Sequence, residues 1–310
     1  MDSAVSFFSP MLSSKLSSRH VLAAAFVSLA VSSSHLALAA PPLPHPVAPP
    51  PARLSFVADP VADGAVLILG AGTAFFSEEI LSTGEITPQQ PQDPMRLLTI
   101  DRPVIGQTAK PTWDTISSVG LYSAIGFAVL DPIATGFRNS AEAGLVDAVI
   151  YGETITLTWS ITNLAKIAFR RPRPTAYREK ARLQALYGPD AQIPDITKTD
   201  SALSFYSGHA SITSAVAATA TYLAFSRSPH TVRPWITLAV GALTTTLVDV
   251  GRVRAGVHFP TDVIAGTTAG IGIGVLVPHL HRAEDVTRRP IWIGMQPEPG
   301  GTSLTLSGLF

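Results

Sequence analysis

Five long segments that are poor in charge constrain the fold of this chain more than any other feature of its sequence. They cover residues 113–132, 143–169, 209–226, 235–250 and 262–281. Charged residues make up 14% of the chain, against about 25% in typical soluble domains. Each segment approaches the length that crosses a bilayer, and the segments are rich in Ala, Gly, Ser and Thr. The pattern therefore predicts an all-α helical bundle with five membrane-embedded helices in close contact.

The N-terminal region differs in composition and predicts an exported protein. Residues 1–39 have the pattern of a signal peptide. Lys15 and Arg19 precede an apolar run at 21–31, and an Ala-Leu-Ala cleavage site follows at 37–39.

Changes in composition predict the remaining domain boundaries. The predicted organisation after the signal peptide is a proline-rich linker at 40–53, an N-terminal irregular region with a short helix at 54–111, a helical domain at 112–282, and a C-terminal hairpin or tail at 290–310. The short helix is expected around 65–76, a stretch too brief to span a bilayer. The hairpin is expected because residues alternate on both sides of Pro299-Gly300-Gly301.

Composition excludes several classes of function. Lys and Arg together number 22, as do Asp and Glu, so the net charge is zero and no nucleic-acid partner is expected. The sequence has no cysteine, which excludes disulfides, thiol nucleophiles and cysteine-based metal centres. The eight histidines show no spacing such as H-E-x-x-H that indicates a metal site. No metal cofactor is therefore predicted.

Three short motifs at the ends of the predicted helices carry groups that suit a phosphate. They are KIAFRRPRP at 166–174, SGH at 207–209 and RVRAGVHFPTD at 252–262. Lys166, Arg173 and Arg252 supply cations for the non-bridging oxygens of a phosphoryl group. Ser207 and Gly208 precede an apolar run, so their backbone N–H groups are expected to open a helix and point at the anion. Together the motifs predict a phosphate pocket.

Two histidines and an aspartate predict the chemistry of that pocket. His258 and Asp262 are four residues apart, so the carboxylate can accept a hydrogen bond from one ring nitrogen and leave the other nitrogen as a nucleophile. Attack on phosphorus would give a phosphohistidine intermediate that water later hydrolyses. His209 is the predicted general acid for the leaving oxygen, because it lies beside the same cations.

The order K-x6-RP, SGH and R-x5-H-x3-D resembles the three-part signature of the type 2 phosphatidic acid phosphatase and vanadium haloperoxidase superfamily, over roughly residues 110–282. The resemblance implies a helical bundle of that kind and a metal-independent phosphatase. It implies that His258 is the nucleophile, that Asp262 is its partner and that His209 is the acid. The residues that match the phosphate ligands of the family are Lys166, Arg173, Ser207, Gly208 and Arg252.

Two positions depart from the family pattern. Tyr206 stands where proline usually precedes SGH, and Gly251 stands where serine usually precedes the arginine. Neither position performs chemistry, so the departures concern the rigidity of the loops and the fit of the substrate.

The predicted function is hydrolysis of phosphomonoesters or diphosphates, with a phosphorylated lipid as the favoured substrate. Phosphatidate, a prenyl diphosphate and a lipid A phosphate satisfy the pattern equally well, and no oligomeric state is indicated. Three alternatives stay open. They are a soluble periplasmic acid phosphatase for water-soluble phosphomonoesters, a haloperoxidase whose cofactor vanadate is bound by His258, and a non-catalytic membrane phosphate-binding protein.

The direction of the helices predicts where the pocket lies. With an exported N terminus, the five helices place every motif on the periplasmic side of the inner membrane. The basic loop at 227–233 then falls inside, as the positive-inside tendency requires. Asp147 and Glu153 would have to face the bundle or water, with pairing inside the bundle as their expected role. A soluble bundle of the same connectivity would bring the motifs together equally well.

Overall fold

A computed structural model describes residues 55–193 and 203–283, and the backbone of two strands at 291–298 and 301–308. The predicted signal peptide and all of the proline-rich linker lie outside these residues.

Eight α-helices and two strands make up most of the described residues. The helices are α1 (Ala62–Ser82), α2 (Arg102–Gly106), α3 (Pro111–Arg138), α4 (Ala141–Phe169), α5 (Pro174–Tyr187), α6 (Gly208–Arg227), α7 (Arg233–Arg254) and α8 (Pro260–Leu280). A 3₁₀ turn covers Pro94–Arg96. Strands β1 (Ile291–Glu298) and β2 (Gly301–Gly308) pair in antiparallel fashion. The bundle is all-helical, as predicted from the sequence.

Proline and serine determine where the long helices begin. Helices α3, α5 and α8 each begin with a proline. The first N–H of a helix has no acceptor within the helix, so a proline there costs no hydrogen bond. Serine caps α4 and α6: Ser140 Oγ accepts a hydrogen bond from the N–H of Ala143, and Ser207 Oγ accepts one from Ala210. The starts of α6 and α8 fall inside the second and third motifs. The helix termini therefore position the motif residues.

Helix α6 lies at the centre of the bundle, where it packs against α3, α4, α7 and α8. Its apolar contribution to the core includes Val216, Ala220 and Leu223, and α1 packs mainly on α4. The polar side chains of α4 and α6 are also buried, and several bond to one another, as Thr154 does with Thr219. The interior of the bundle is therefore partly polar, with hydrogen bonds between some of its helices.

Glycines on α8 allow its backbone to approach α6. A Cβ atom at Gly270 would lie 2.1 Å from the carbonyl oxygen of Ser211, and one at Gly274 would lie 2.2 Å from that of Ala215. No side chain fits at these distances, so only glycine permits the contact. The close helix contact expected from the small residues is present.

Among the described residues, four helices are long and apolar enough to cross a membrane, namely α1, α3, α7 and α8. The prediction of five embedded helices is not confirmed. Helices α4 and α6 fall outside this group because they are less apolar, and they carry polar side chains that the bundle buries, such as Thr158, Asn163 and Thr213. Helix α1 was predicted to be too short, but it extends over 21 residues.

Two buried acids close to the connection between α3 and α4 pair with the arginines that end α6 and begin α7. Arg227 donates to Asp147, and Arg233 Nη2 lies 2.9 Å from Asp131 Oδ1. The pairing role expected for Asp147 is confirmed. The two arginines therefore serve the packing of the bundle, in addition to any influence on membrane orientation.

The close approach of α6 and α8 gives a matched pair of test variants. Gly270→Ala is expected to lower the free energy of unfolding by about 1–3 kcal/mol, because the methyl group forces the two helices apart. Gly272→Ala lies on the same helix in open space, and it should be neutral or stabilise by up to about 1 kcal/mol. Thermal unfolding in detergent measures both variants. Equal melting temperatures would contradict the close approach.

Candidate active site

Helix ends bring the eight predicted site residues to one end of the bundle. Lys166 and Arg252 lie in the last turns of α4 and α7, and Arg173 is the N-cap of α5. Ser207, Gly208 and His209 form the start of α6. His258 precedes α8, and Asp262 lies in its first turn. This is the arrangement that the three motifs predicted.

His258 is buried and held by a backbone carbonyl group. Its Nδ1 lies 2.8 Å from the carbonyl oxygen of Ser204. A carbonyl oxygen can only accept, so Nδ1 carries the proton. In the neutral ring Nε2 then holds a lone pair. This is the tautomer that a nucleophilic Nε2 requires.

Asp262 does not accept the hydrogen bond from His258 that the sequence predicted. The distance from His258 Nδ1 to Asp262 Oδ2 is 3.7 Å, which is too long for one. Asp262 Oδ2 instead accepts from Ser204 Oγ and from the backbone N–H of Phe259, at 2.8 Å. The Asp262 carboxylate thus caps the N terminus of α8. Asp262 orients His258 through Ser204.

Arg171 was not predicted as a site residue, yet it binds the second oxygen of Asp262. Its Nη1 donates to Asp262 Oδ1, and its Nη2 lies 2.7 Å from Asp101 Oδ2. Its guanidinium group lies 4.3 Å from the centre of the Phe259 ring. The sequence signal was weak because Arg171 belongs to a run of three arginines, a pattern typical of ordinary basic surfaces.

Asp101 is a second residue that the sequence did not reveal. It is fully buried and accepts hydrogen bonds from the backbone N–H of Thr261, at 3.1 Å, and from Thr261 Oγ1, at 2.7 Å. It lies in the region predicted to be irregular. The segment before α2 therefore supports the third motif directly.

Helix α3 holds Arg252, one of the predicted phosphate ligands. Arg252 is buried, and its Nη1 donates to Asp114 Oδ1 and lies 3.4 Å from Ser117 Oγ. A Cβ atom at Gly251 would lie only 2.8 Å from Cβ of Ser117. The close crossing of α3 and α7 therefore explains why glycine replaces the usual serine before this arginine.

His209 lies in the same electrostatic environment as His258. Its Nε2 is 3.3 Å from Ser118 Oγ of α3. The charges that act on its ring come from Arg252, His258, Lys166 and Arg173. The three predicted cations and the two imidazoles therefore share one site.

Burial and two arginines keep His258 uncharged. Burial lowers its pKa from 6.5 to about 4, and the Asp262 carboxylate opposes this shift, whereas Arg173 and Arg252 reinforce it. The ring is therefore neutral across the physiological pH range.

The start of α6 differs in one respect from the prediction. The backbone N–H of Ser207 donates to the carbonyl oxygen of Asp262, at 3.2 Å, so this donor joins α6 to α8. The N–H of Gly208 is at the first helical position and has no partner within its own helix. It is the better placed of the two predicted backbone donors for an anion.

Residues 147–285 match the family model described as the PAP2 superfamily. These residues form the PAP2 region of the chain. The match contains all three motifs and confirms the resemblance inferred from them. No curated protein matches the chain significantly. Among solved structures, the chain is similar to the "first transmembrane PAP2 type phosphatidylglycerolphosphate phosphatase from Bacillus subtilis", at 18% identity and a TM-score of 0.41, covering 71% of this chain and 94% of that one.

Groups that precede the PAP2 region complete its site. Asp101, Asp114, Ser117 and Ser118 lie before residue 147, and they contact Arg171, Arg252 or His209. The segment that includes α2 and α3 is therefore part of the same candidate site.

Arg171 offers a direct test of this arrangement. Arg171→Ala leaves Asp101 and Asp262 without their shared cation, so we expect a loss of about 3 kcal/mol in unfolding free energy. This is the low end of the range for a broken buried pair, because the arginine side chain is 20% exposed. Arg182→Ala removes an exposed pair with Glu179, and its effect on stability should be far smaller than that of Arg171→Ala. Denaturation in detergent compares the two variants, and similar losses in both would argue against a supporting role for Arg171.

Proposed function

We propose that this protein is a phosphatase that hydrolyses phosphomonoesters or diphosphates of lipids through a phosphohistidine on His258, without a metal ion. The observation that carries the proposal is the neutral, buried ring of His258 with Nδ1 on the Ser204 carbonyl, within the field of Arg173 and Arg252. The match to the PAP2 superfamily supports phosphatase activity at the level of the family.

In the first step, Nε2 of His258 attacks phosphorus as the bond from phosphorus to the leaving oxygen breaks. The electron pair of that bond goes to the leaving oxygen, which takes a proton from His209. Burial and the nearby cations lower the pKa of His209 from 6.5 to about 2 in the free protein, so His209 first receives this proton from the bound substrate, which enters as the phosphate monoanion. Lys166, Arg173 and Arg252 neutralise the equatorial oxygens, on which negative charge is spread in the transition state. The N–H of Gly208 at the start of α6 adds a backbone donor.

In the second step, water hydrolyses the phosphohistidine. His209, now neutral, accepts a proton from the water as its oxygen bonds to phosphorus. The bond from phosphorus to Nε2 breaks and returns the lone pair to His258. Inorganic phosphate takes the proton from His209 as it leaves, and both histidines are then neutral, as in the free protein.

Two features support a lipid as the substrate. The four apolar helices expose large side chains, such as Phe137 of α3, which is 89% exposed, and Leu243 of α7, which is 71% exposed. A cavity of about 750 Å³ between α6, α7 and α8 is lined by Phe225, Leu238 and Ile271. The cavity reaches Asp249. Asp249 precedes Arg252 by three residues, which is about 4.5 Å along the axis of α7. A phosphate head group and an apolar chain could therefore bind side by side.

We further infer that the bundle is embedded in a membrane, with the site at one membrane surface. The signal peptide predicted at 1–39 would direct the protein to the periplasm and turn the site to that side. Recovery of the protein in an osmotic-shock fraction without detergent would instead support the soluble alternative.

The function is tested with purified protein in detergent and a panel of phosphorylated lipids and water-soluble phosphomonoesters. We expect phosphate release to persist in the presence of a chelator and to be abolished by His258→Ala, with binding of inorganic phosphate retained. His279→Ala is the matched control, because this histidine is exposed and bonds to Tyr222 at the other end of α8. Activity in the His258 variant would refute the nucleophile. Activity lost with chelator while the melting temperature is unchanged would refute metal independence. Bromide oxidation with added vanadate, in the absence of phosphatase activity, would support the haloperoxidase.

The pKa of His258 predicts an acid limb in the pH profile. Because its pKa is lowered from 6.5 to about 4, the nucleophile stays neutral until the pH approaches 4. Below that value its protonation removes the lone pair, and kcat/KM should fall about tenfold per pH unit. The profile is measured with a water-soluble phosphomonoester. A single acid limb near pH 6.5 would show that the nucleophile has an ordinary pKa.

A further inference from the structure

A second cluster of titratable side chains lies far from the phosphate site. Asp63 is in the first turn of α1, Glu153 is in α4, and His281 follows the last residue of α8. Their side chains are 10%, 5% and 3% exposed. Asp262 and His281 lie at opposite ends of α8, about 28 Å apart along its axis. The mechanism proposed above uses none of the three.

His281 directs one ring nitrogen into this cluster. Its Nδ1 lies 2.8 Å from the carbonyl oxygen of Val277, so Nδ1 carries a proton. Its Nε2 is buried and makes no hydrogen bond to any residue that the structure describes. This atom faces Asp63 Oδ2 at 3.4 Å and Glu153 Oε2 at 3.6 Å. In a neutral ring, a lone pair would point at two carboxylates.

The separations are those of ligands around a common ion. A charge-assisted hydrogen bond joins its heavy atoms at about 2.7–2.9 Å, well below the distances observed. Metal–ligand bonds of about 2.0–2.2 Å in tetrahedral geometry instead place neighbouring ligand atoms about 3.3–3.6 Å apart. One atom from each of the three side chains lies within 4.8 Å of the other two.

We propose that Asp63, Glu153 and His281 bind one divalent transition-metal ion of the Zn²⁺ type. An imidazole with two carboxylates suits Zn²⁺, whereas Mg²⁺ and Ca²⁺ prefer oxygen ligands throughout. Two of the ligands are oriented by backbone hydrogen bonds. His281 Nδ1 donates to the Val277 carbonyl, and Asp63 Oδ2 accepts from the N–H of Asp59, at 2.6 Å. Three protein ligands leave a fourth position for water.

The role of such an ion would be structural. It would join α1, which precedes the PAP2 region, to α4 and to the end of α8. An ion that binds only the folded chain raises its stability as the free metal concentration exceeds Kd. Because the site is remote from His258, it adds no step to phosphate hydrolysis.

The test uses the full chain, purified in detergent, stripped with chelator and titrated with zinc chloride. We expect one zinc per chain after gel filtration, measured by elemental mass spectrometry, and a melting temperature that rises and levels off at one equivalent. Glu153→Gln and His281→Gln should each lose both effects. His279→Gln, two residues from the ligand and exposed, should keep them.

A proton could occupy the place of the metal, and the same titration separates the two cases. Burial would lower the pKa of His281, but Asp63, the Val277 carbonyl and Glu153 outweigh it, so the net shift is upward. A protonated His281 between two carboxylates would take up no zinc, and its stabilising effect would be lost as the pH rises through this raised pKa. Absence of stoichiometric zinc in the wild type overturns the proposal, as does equal zinc content in the wild type and the Glu153 and His281 variants. Zinc affinity that increases with pH supports it, because the metal must displace that proton.

Discussion

The carboxylate of Asp262 is the interaction on which the rest of the site depends. It is fully buried and accepts hydrogen bonds from Ser204, from the N–H of Phe259 and from Arg171. These bonds join the loop before α6, the start of α8 and the segment after α4. Because a buried charge without partners is costly, the three elements keep one relative position. The Ser204 carbonyl is thereby fixed where it orients His258.

This arrangement separates positioning from chemistry. Asp262 makes no hydrogen bond to His258, whereas burial, Arg173 and Arg252 keep the His258 ring neutral. The cations near the ring lower its pKa in the free protein. In the proposed mechanism they also neutralise the substrate when it binds. Residues before the PAP2 region also help to position the site, since Asp101 pairs with Arg171 and Asp114 pairs with Arg252.

The sequence predicted the parts of this site that depend on local spacing and missed those that depend on long-range packing. The three motifs fall at helix ends, so their order along the chain was enough to predict that they share one end of the bundle. The hydrogen bond from His258 to Asp262 was wrong, because helix spacing does not reveal that α8 uses this carboxylate as its cap. Arg171 and Asp101 are 70 residues apart, and no local pattern links them. The five membrane helices are not confirmed, because α4 and α6 carry polar side chains that become buried only when the bundle assembles.

The central claim is that Nε2 of His258 forms a bond to phosphorus. The most direct measurement is rapid acid-free quenching during turnover of a ³²P-labelled substrate, followed by mass spectrometry of the peptide that contains residue 258. The account predicts a phosphoryl group that is labile in acid, stable in base, and attached to Nε2 of His258. Turnover with no phosphorylated protein at any time, or with the label on His209, would contradict it.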